Sequence, residues 1–195
     1  MNLLVSRTNG RCRIMASTFK INRAPVLTLW GVVVAERLGY NHDEALTLGK
    51  AVAGLTAQSK GQRLGIYSPA EAELDAKNKK VNERKPGETL FVEVVGRRVP
   101  VVKTAHGLRA TVSGEEIKPE SVERYLEKKF GSGLAEVSAA LESLAQAYPP
   151  QELERRAFGL YEQFRPGVPE GVQGWGATGE LNLEHIREMV KKEEK

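Results

Sequence analysis

Residues 24–35, Ala-Pro-Val-Leu-Thr-Leu-Trp-Gly-Val-Val-Val-Ala, carry no charge and constrain the fold more than any other part of the chain. Pro25 suits the first turn of a helix, where its missing N–H leaves no bond unmade, and Val26, Leu27, Leu29, Trp30, Val33, Val34 and Leu38 then point to nearly every side. A helix that is apolar all round must be covered all round. The run is shorter than the roughly 20 residues a membrane span needs, so it predicts a buried central helix and no membrane partner. Gly39 supplies the left-handed conformation that commonly ends a helix.

A second helix is predicted from Asn41 as N-cap, with Glu44 three residues on as the acid of a capping box, running to about Gln58. Ala45, Gly49, Ala53 and Ala57 form a small-residue stripe along it, which lets another helix approach closely. From Ser59 to Glu88 the apolar period is lost, apart from a short helical pattern at 69–77. Three β-rich runs follow at 89–95, 98–103 and 108–112, and predict a three-stranded antiparallel meander with Pro100 at an edge or bulge.

The remainder reads as a helical bundle. Pro119 opens a helix with Val122, Tyr125, Leu126 and Phe130 on one face, and Gly131 closes it; Ser132 is placed to cap the next, which carries Leu134, Val137, Leu141 and Leu144. Pro149-Pro150 precedes a third with Leu153, Phe158, Tyr161 and Phe164. After the Gly/Pro-rich loop at 165–181, a last helix has Asn182 as its cap and Leu181 with Ile186 as a hydrophobic staple. The fold class is therefore α+β: a flexible extension at 1–18, a helix pair plus small sheet at 19–115, and a helical region at 116–195.

Charge is uneven along the chain. Residues 1–110 hold 18 Lys and Arg against 9 Asp and Glu, whereas residues 111–195 hold 11 against 16. A basic front half calls for an anionic partner or for the acidic half to face it. Cys12 is the only cysteine, so no disulfide forms within one chain, and a reducing, cytoplasmic setting is expected. The first residues bear Arg7, Arg11 and Arg13 without the apolar core of an export signal, and Met15 is an alternative start.

Residues 31–50 resemble the DNA-binding helix-turn-helix motif. Counted from Gly31, the motif takes a small residue at the fifth place and Gly at the ninth, here Ala35 and Gly39; Val34, Leu38, Tyr40, Ala45 and Leu48 fill its apolar places. The resemblance implies that the second helix enters the major groove, with His42, Thr47 and Lys50 at base edges and Asn41 near a phosphate. Asp43 and Glu44 depart from that use, because carboxylates there repel a phosphate backbone, although they suit the helix dipole. Further phosphate contacts are expected from Lys20, Arg23, Lys60, Arg63 and the run Lys77, Lys79, Lys80, Arg84 and Lys85. Arg97, Arg98, Lys103 and Arg109 lie on a hairpin placed like the wing of a winged helix.

Other chemistry is sparse. Gly174-Trp175-Gly176-Ala177-Thr178-Gly179 fits G-x-G-x-x-G but follows no strand, so rather than a dinucleotide site it reads as a packed loop in which Trp175 fills a hole and Arg165 bonds nearby carbonyls, with a ligand or partner surface at Arg165 and Trp175 as the alternative. His42, His106 and His185 show no metal-ligand spacing, and no cofactor, metal or catalytic nucleophile is expected. The stretch 19–30, Phe-Arg-Pro at 164–166 and Gly-Trp-Gly at 174–176 resemble a family of uncharacterised bacterial proteins; that resemblance implies no activity and no residue role. The leading expectation is weak DNA or polyanion binding through the basic half. The alternatives are a homodimer or interaction module packed through the Ala45–Gly49–Ala53–Ala57 stripe, and a small-molecule enzyme grouping His106, Arg109 and Glu93 near Trp175.

Overall fold

The computed structural model describes residues 18–63, 90–168 and 177–193. Helix α1 (Arg23–Arg37) is buried from Pro25 to Ala35, as its all-round apolar pattern requires. Trp30 sits at its centre with no exposed surface; the indole N–H donates to the Ala157 carbonyl at 2.8 Å, and the ring meets Phe164 edge-on. Gly39, at φ 101°, turns the chain into α2 (His42–Arg63). That helix continues past the expected end near Gln58 and through Gly61, because a single glycine costs a helix only about 1 kcal/mol.

The two helices follow one another as the helix-turn-helix resemblance implies, but they pack differently. A Cβ built on Gly31 would lie 2.7 Å from the Gly49 Cα, and one built on Gly49 would run into the Thr28 carbonyl and come within 2.8 Å of the Val32 nitrogen. Gly31 and Gly49 each lie nine positions from Tyr40. Helices diverging from the turn at a right angle or wider would stand roughly 13 Å or more apart at that distance. Backbone contact there means that α1 and α2 run back along each other as an antiparallel αα-hairpin.

A four-stranded antiparallel sheet follows, in the order β2 (Leu90–Val94), β3 (Arg97–Thr104), β4 (Gly107–Val112) and β5 (Glu115–Glu116). The three expected strands are present. The fourth, not expected, is added by a turn in which Ser113 and Gly114 both take positive φ. Val95 and Gly96 make the corresponding turn between β2 and β3. Val95 is a β-branched residue at φ 51°, and its complete burial offsets a strain of about 1–2 kcal/mol. Arg97, assigned to that turn by the sequence, instead begins β3.

Helices α3 (Pro119–Phe130), α4 (Leu134–Gln146) and α5 (Pro150–Phe164) take the expected faces, although a 3-10 turn at Gly131–Gly133 leads into α4 and puts Gly133, not Ser132, at its N-cap. These helices pack on α1 as well as on one another, so the core runs continuously across the boundary drawn at 115–116. The structure also holds a pairing the sequence did not announce: β1 (Thr18–Asn22) runs antiparallel to β6 (Thr178–Asn182), with Phe19 opposite Leu181. Phe19 fills the space beside Gly133, where any Cβ would collide with its ring. Helix α6 (Leu183–Glu193) then starts with the His185 N–H bonded to the Asn182 side chain, and both Leu181 and Ile186 are fully buried, as cap and staple require. Thr18 thus belongs to a strand, while residues 1–17 of the expected extension, the pattern at 69–77, the basic run at 77–85 and Trp175 lie outside the described residues.

Candidate functional site

The start of α2 holds the residues expected at base edges, His42, Thr47 and Lys50, with Asn41 just before them. Asn41 and Glu44 form the capping box: the Glu44 N–H donates to Asn41 Oδ1 at 3.0 Å, and the Asn41 N–H donates to Glu44 Oε2 at 3.1 Å. The other Glu44 oxygen accepts the Leu108 N–H at 2.8 Å. The Thr47 hydroxyl accepts the Ala110 N–H at 3.2 Å, and Asp43 pairs with the guanidinium of Arg109 at 3.0 Å. These N–H groups of β4 are turned away from β3, and an unpaired strand edge must be satisfied by something. Two side chains of α2 do so.

This arrangement corrects the expected roles of several residues. Thr47 has no exposed surface, so it cannot reach a base edge. Arg109 is 7% exposed and neutralised by Asp43, so it is removed from both the phosphate contacts and the proposed catalytic group. Asp43 and Glu44 are present because they hold the sheet. Asn41 spends its side chain on the cap, and the exposed His42 lies 2.6 Å from a Glu36 oxygen. Of the stripe Ala45, Gly49, Ala53 and Ala57, the first three are buried within the chain, with Gly49 against α1, and Ala57 is partly exposed.

Lys50 is different. It is half-buried, with its ammonium 3.9 Å from the centre of the Tyr125 ring and, among the described residues, no carboxylate paired with it. Burial lowers its pKa, and the charge of nearby Lys129 lowers it further. A cation on α2 thus feels the charge of a cation on α3. Lys129 follows Tyr125 by four positions on α3, a spacing visible in the sequence, but its closeness to Lys50 comes only from helix packing.

The remaining cations spread over the surface. Arg97 points inward, donating to the Thr56 hydroxyl at 3.2 Å and lying 5.4 Å from the Phe158 ring; Arg98, the next residue, is exposed and stacks at 4.3 Å on the exposed ring of Phe91. Lys103 and Lys20 are exposed. Lys60 and Arg63 lie on the last turns of α2. Arg165 pairs with Glu162 at 3.2 Å and sits near Arg23, whose pKa is lowered first by burial and then by Arg165. Arg23 itself donates to the Pro166 carbonyl at 3.2 Å.

Ion pairs among the described residues stay within one half of the chain. His42 with Glu36 and Arg109 with Asp43 belong to the front, and Arg156, Arg165 and Arg187 find their carboxylates in the back. The basic half meets the acidic half instead through carbonyls and rings: Arg37 on the Tyr148 carbonyl, Arg97 on Phe158 and Lys50 on Tyr125. The enzymatic grouping is also not assembled. Glu93 lies opposite Arg98 near one end of β3, and His106 lies in the turn beyond Thr104 at the other. Among the described residues no helix is long and apolar enough to cross a membrane. Compared with protein-family models, curated proteins and solved structures, the chain matches none.

Proposed function

We propose that this protein binds polyanions, nucleic acid among them, by backbone phosphate contact to exposed cations and without seating α2 in a groove as a recognition helix. The observation that carries this reading is Lys50, whose ammonium lies 3.9 Å from the centre of the Tyr125 ring, feels the positive charge of Lys129 and has no ion pair with a carboxylate among the described residues. Like charges that feel each other cost energy, and phosphate oxygens bound to them relieve that cost. Arg98 and Lys103 on the sheet and Lys20 on β1 add exposed positive charge. The sequence places Lys77, Lys79, Lys80, Arg84 and Lys85 on the connection between α2 and β2. Burial of Thr47 argues against base readout, so affinity is expected to depend on charge and hardly on sequence.

The test is fluorescence anisotropy of two labelled duplexes of unrelated sequence, titrated across a series of salt concentrations. Both are expected to bind with similar affinity, weakening steeply with salt. The double variant Lys50→Gln/Lys129→Gln should bind both less tightly and reduce the salt slope by about 2, one for each lost phosphate contact. Absence of binding at low salt refutes the proposal. Strong preference for one duplex would return α2 to the role of a reading helix.

A further inference from the structure

A cleft of about 120 Å3 opens where α1, α2, α3 and α4 meet. Its floor includes Leu29 and Val33 of α1, Leu46 of α2 and Leu126 of α3. These side chains are 3–5% exposed, whereas Val26, Leu27, Trp30 and Val34 of α1 are wholly covered; the trace of surface left on the central helix faces this cleft. The rim carries Glu36, Glu123 and Glu142, with His42 beside Glu36, and among the described residues no lysine or arginine lines it. Glu123 and Glu142 are exposed, and among the described residues neither has a cationic partner.

We infer that this cleft binds a small amphiphilic cation: a primary ammonium carried on an apolar body about the size of a benzyl group. Volume limits the body to one ring at most, because an enclosed apolar cavity of about 150 Å3 admits one benzene ring and this cleft is slightly smaller but open at its rim. Charge sets the head. A neutral ligand would bury the same apolar surface but leave the carboxylates without a counter-charge, while an anion would be repelled by all three. The body rests on leucine and valine side chains, and the ammonium stays at the partly exposed rim, where it keeps part of its hydration while facing Glu123 and Glu142. Lys50 and Lys129 do not line this cleft, and its existence does not depend on polyanion binding.

The experiment uses methyl-labelled full-length protein titrated with benzylammonium and, separately, with benzyl alcohol as its neutral analogue. Saturable shifts are expected at the methyl groups of Leu29, Val33, Leu46 and Leu126, with benzyl alcohol binding about fivefold more weakly. The variant Glu123→Gln/Glu142→Gln changes only exposed side chains and should fold normally; it is expected to lose most of the preference for the cation while keeping a response to the alcohol. Silence at these methyl groups overturns the inference. So does equal binding of the two probes, which would leave an unselective apolar cleft, and so does a lysine peptide that binds where benzylammonium does not.

Discussion

Thr47 accepts the backbone N–H of Ala110 at 3.2 Å across a separation of 63 residues, while its own proton goes to the Glu44 carbonyl at 2.9 Å. One hydroxyl thereby fastens the start of α2 to the open edge of β4. Thr47→Val keeps the shape and removes the acceptor, leaving a buried N–H unpaired, and is expected to lower stability by about 1–3 kcal/mol in chemical denaturation. Thr47→Ser should recover most of that loss. In the valine variant the Ala110 amide should also exchange faster with solvent; unchanged exchange and stability would show that the edge is satisfied in some other way.

The Gly31–Gly49 contact gives a sharp contrast within one helix. Gly49→Ala places a methyl against backbone atoms of α1, which have no side chain to rotate away, and is expected to cost about 2–4 kcal/mol or to prevent folding. Gly54→Ala, five residues on and open to solvent, should stabilise the protein by about 0.5–1 kcal/mol through helix propensity. Sedimentation mass should be the same for Gly54→Ala and the parent. A mass that halves on Gly49→Ala while the chain remains folded would restore the stripe as a dimer surface.

Lys50 carries a pH signature of known sign. Its pKa is lowered in the folded protein, so over the interval between that value and the ordinary lysine value near 10.5 the unfolded chain holds more protons, and stability rises with pH. Below that interval the charged, half-buried ammonium beside Lys129 opposes folding. Lys50→Met is therefore expected to be more stable than the parent at neutral pH, with the gap closing as pH approaches 10.5, read from melting temperatures across the range. A methionine variant that is less stable at neutral pH would mean that the Tyr125 ring contact outweighs burial and repulsion together.

Tyr148 titrates in the opposite sense. Burial, followed by a hydrogen bond from its hydroxyl to Glu193, pushes its pKa up to about 12. The folded state thus keeps the phenol proton after the unfolded chain would release it, and this stabilising term, complete below pH 10, is lost as pH rises toward 12. Phenolate absorbance should appear later in the native protein than in a denatured sample. Tyr148→Phe should flatten the alkaline fall in stability; a native tyrosine titration centred at the ordinary value for every phenol would contradict the burial.

Much of the local architecture was legible from neighbouring residues. The Asn41–Glu44 box, the Asn182 cap, the limits set by Pro119 and Gly131, and the burial of residues 25–35 were all read correctly, as were three strands of the sheet. Each depends on side chains within a few positions, and a cap or an apolar period needs no knowledge of distant chain. The candidate site was read less well for the same reason: Asp43, Glu44, Thr47 and Arg109 were ranked by charge and helical position, but their partners lie about sixty residues away.

The sequence by itself determined a central apolar helix, its glycine turn, the α+β class and the unequal charge of the two halves. Tertiary structure alone decided that α2 folds back on α1 at Gly31 and Gly49, that β1 pairs with β6 across most of the chain, and that Lys50 lies over the Tyr125 ring. The physical reason is range. Hydrogen bonds inside a turn are chosen by the residues that make them, whereas the partner of a glycine, a strand edge or a half-buried ammonium is chosen by how the entire core closes, with each long-range contact accepted because the others bury surface around it.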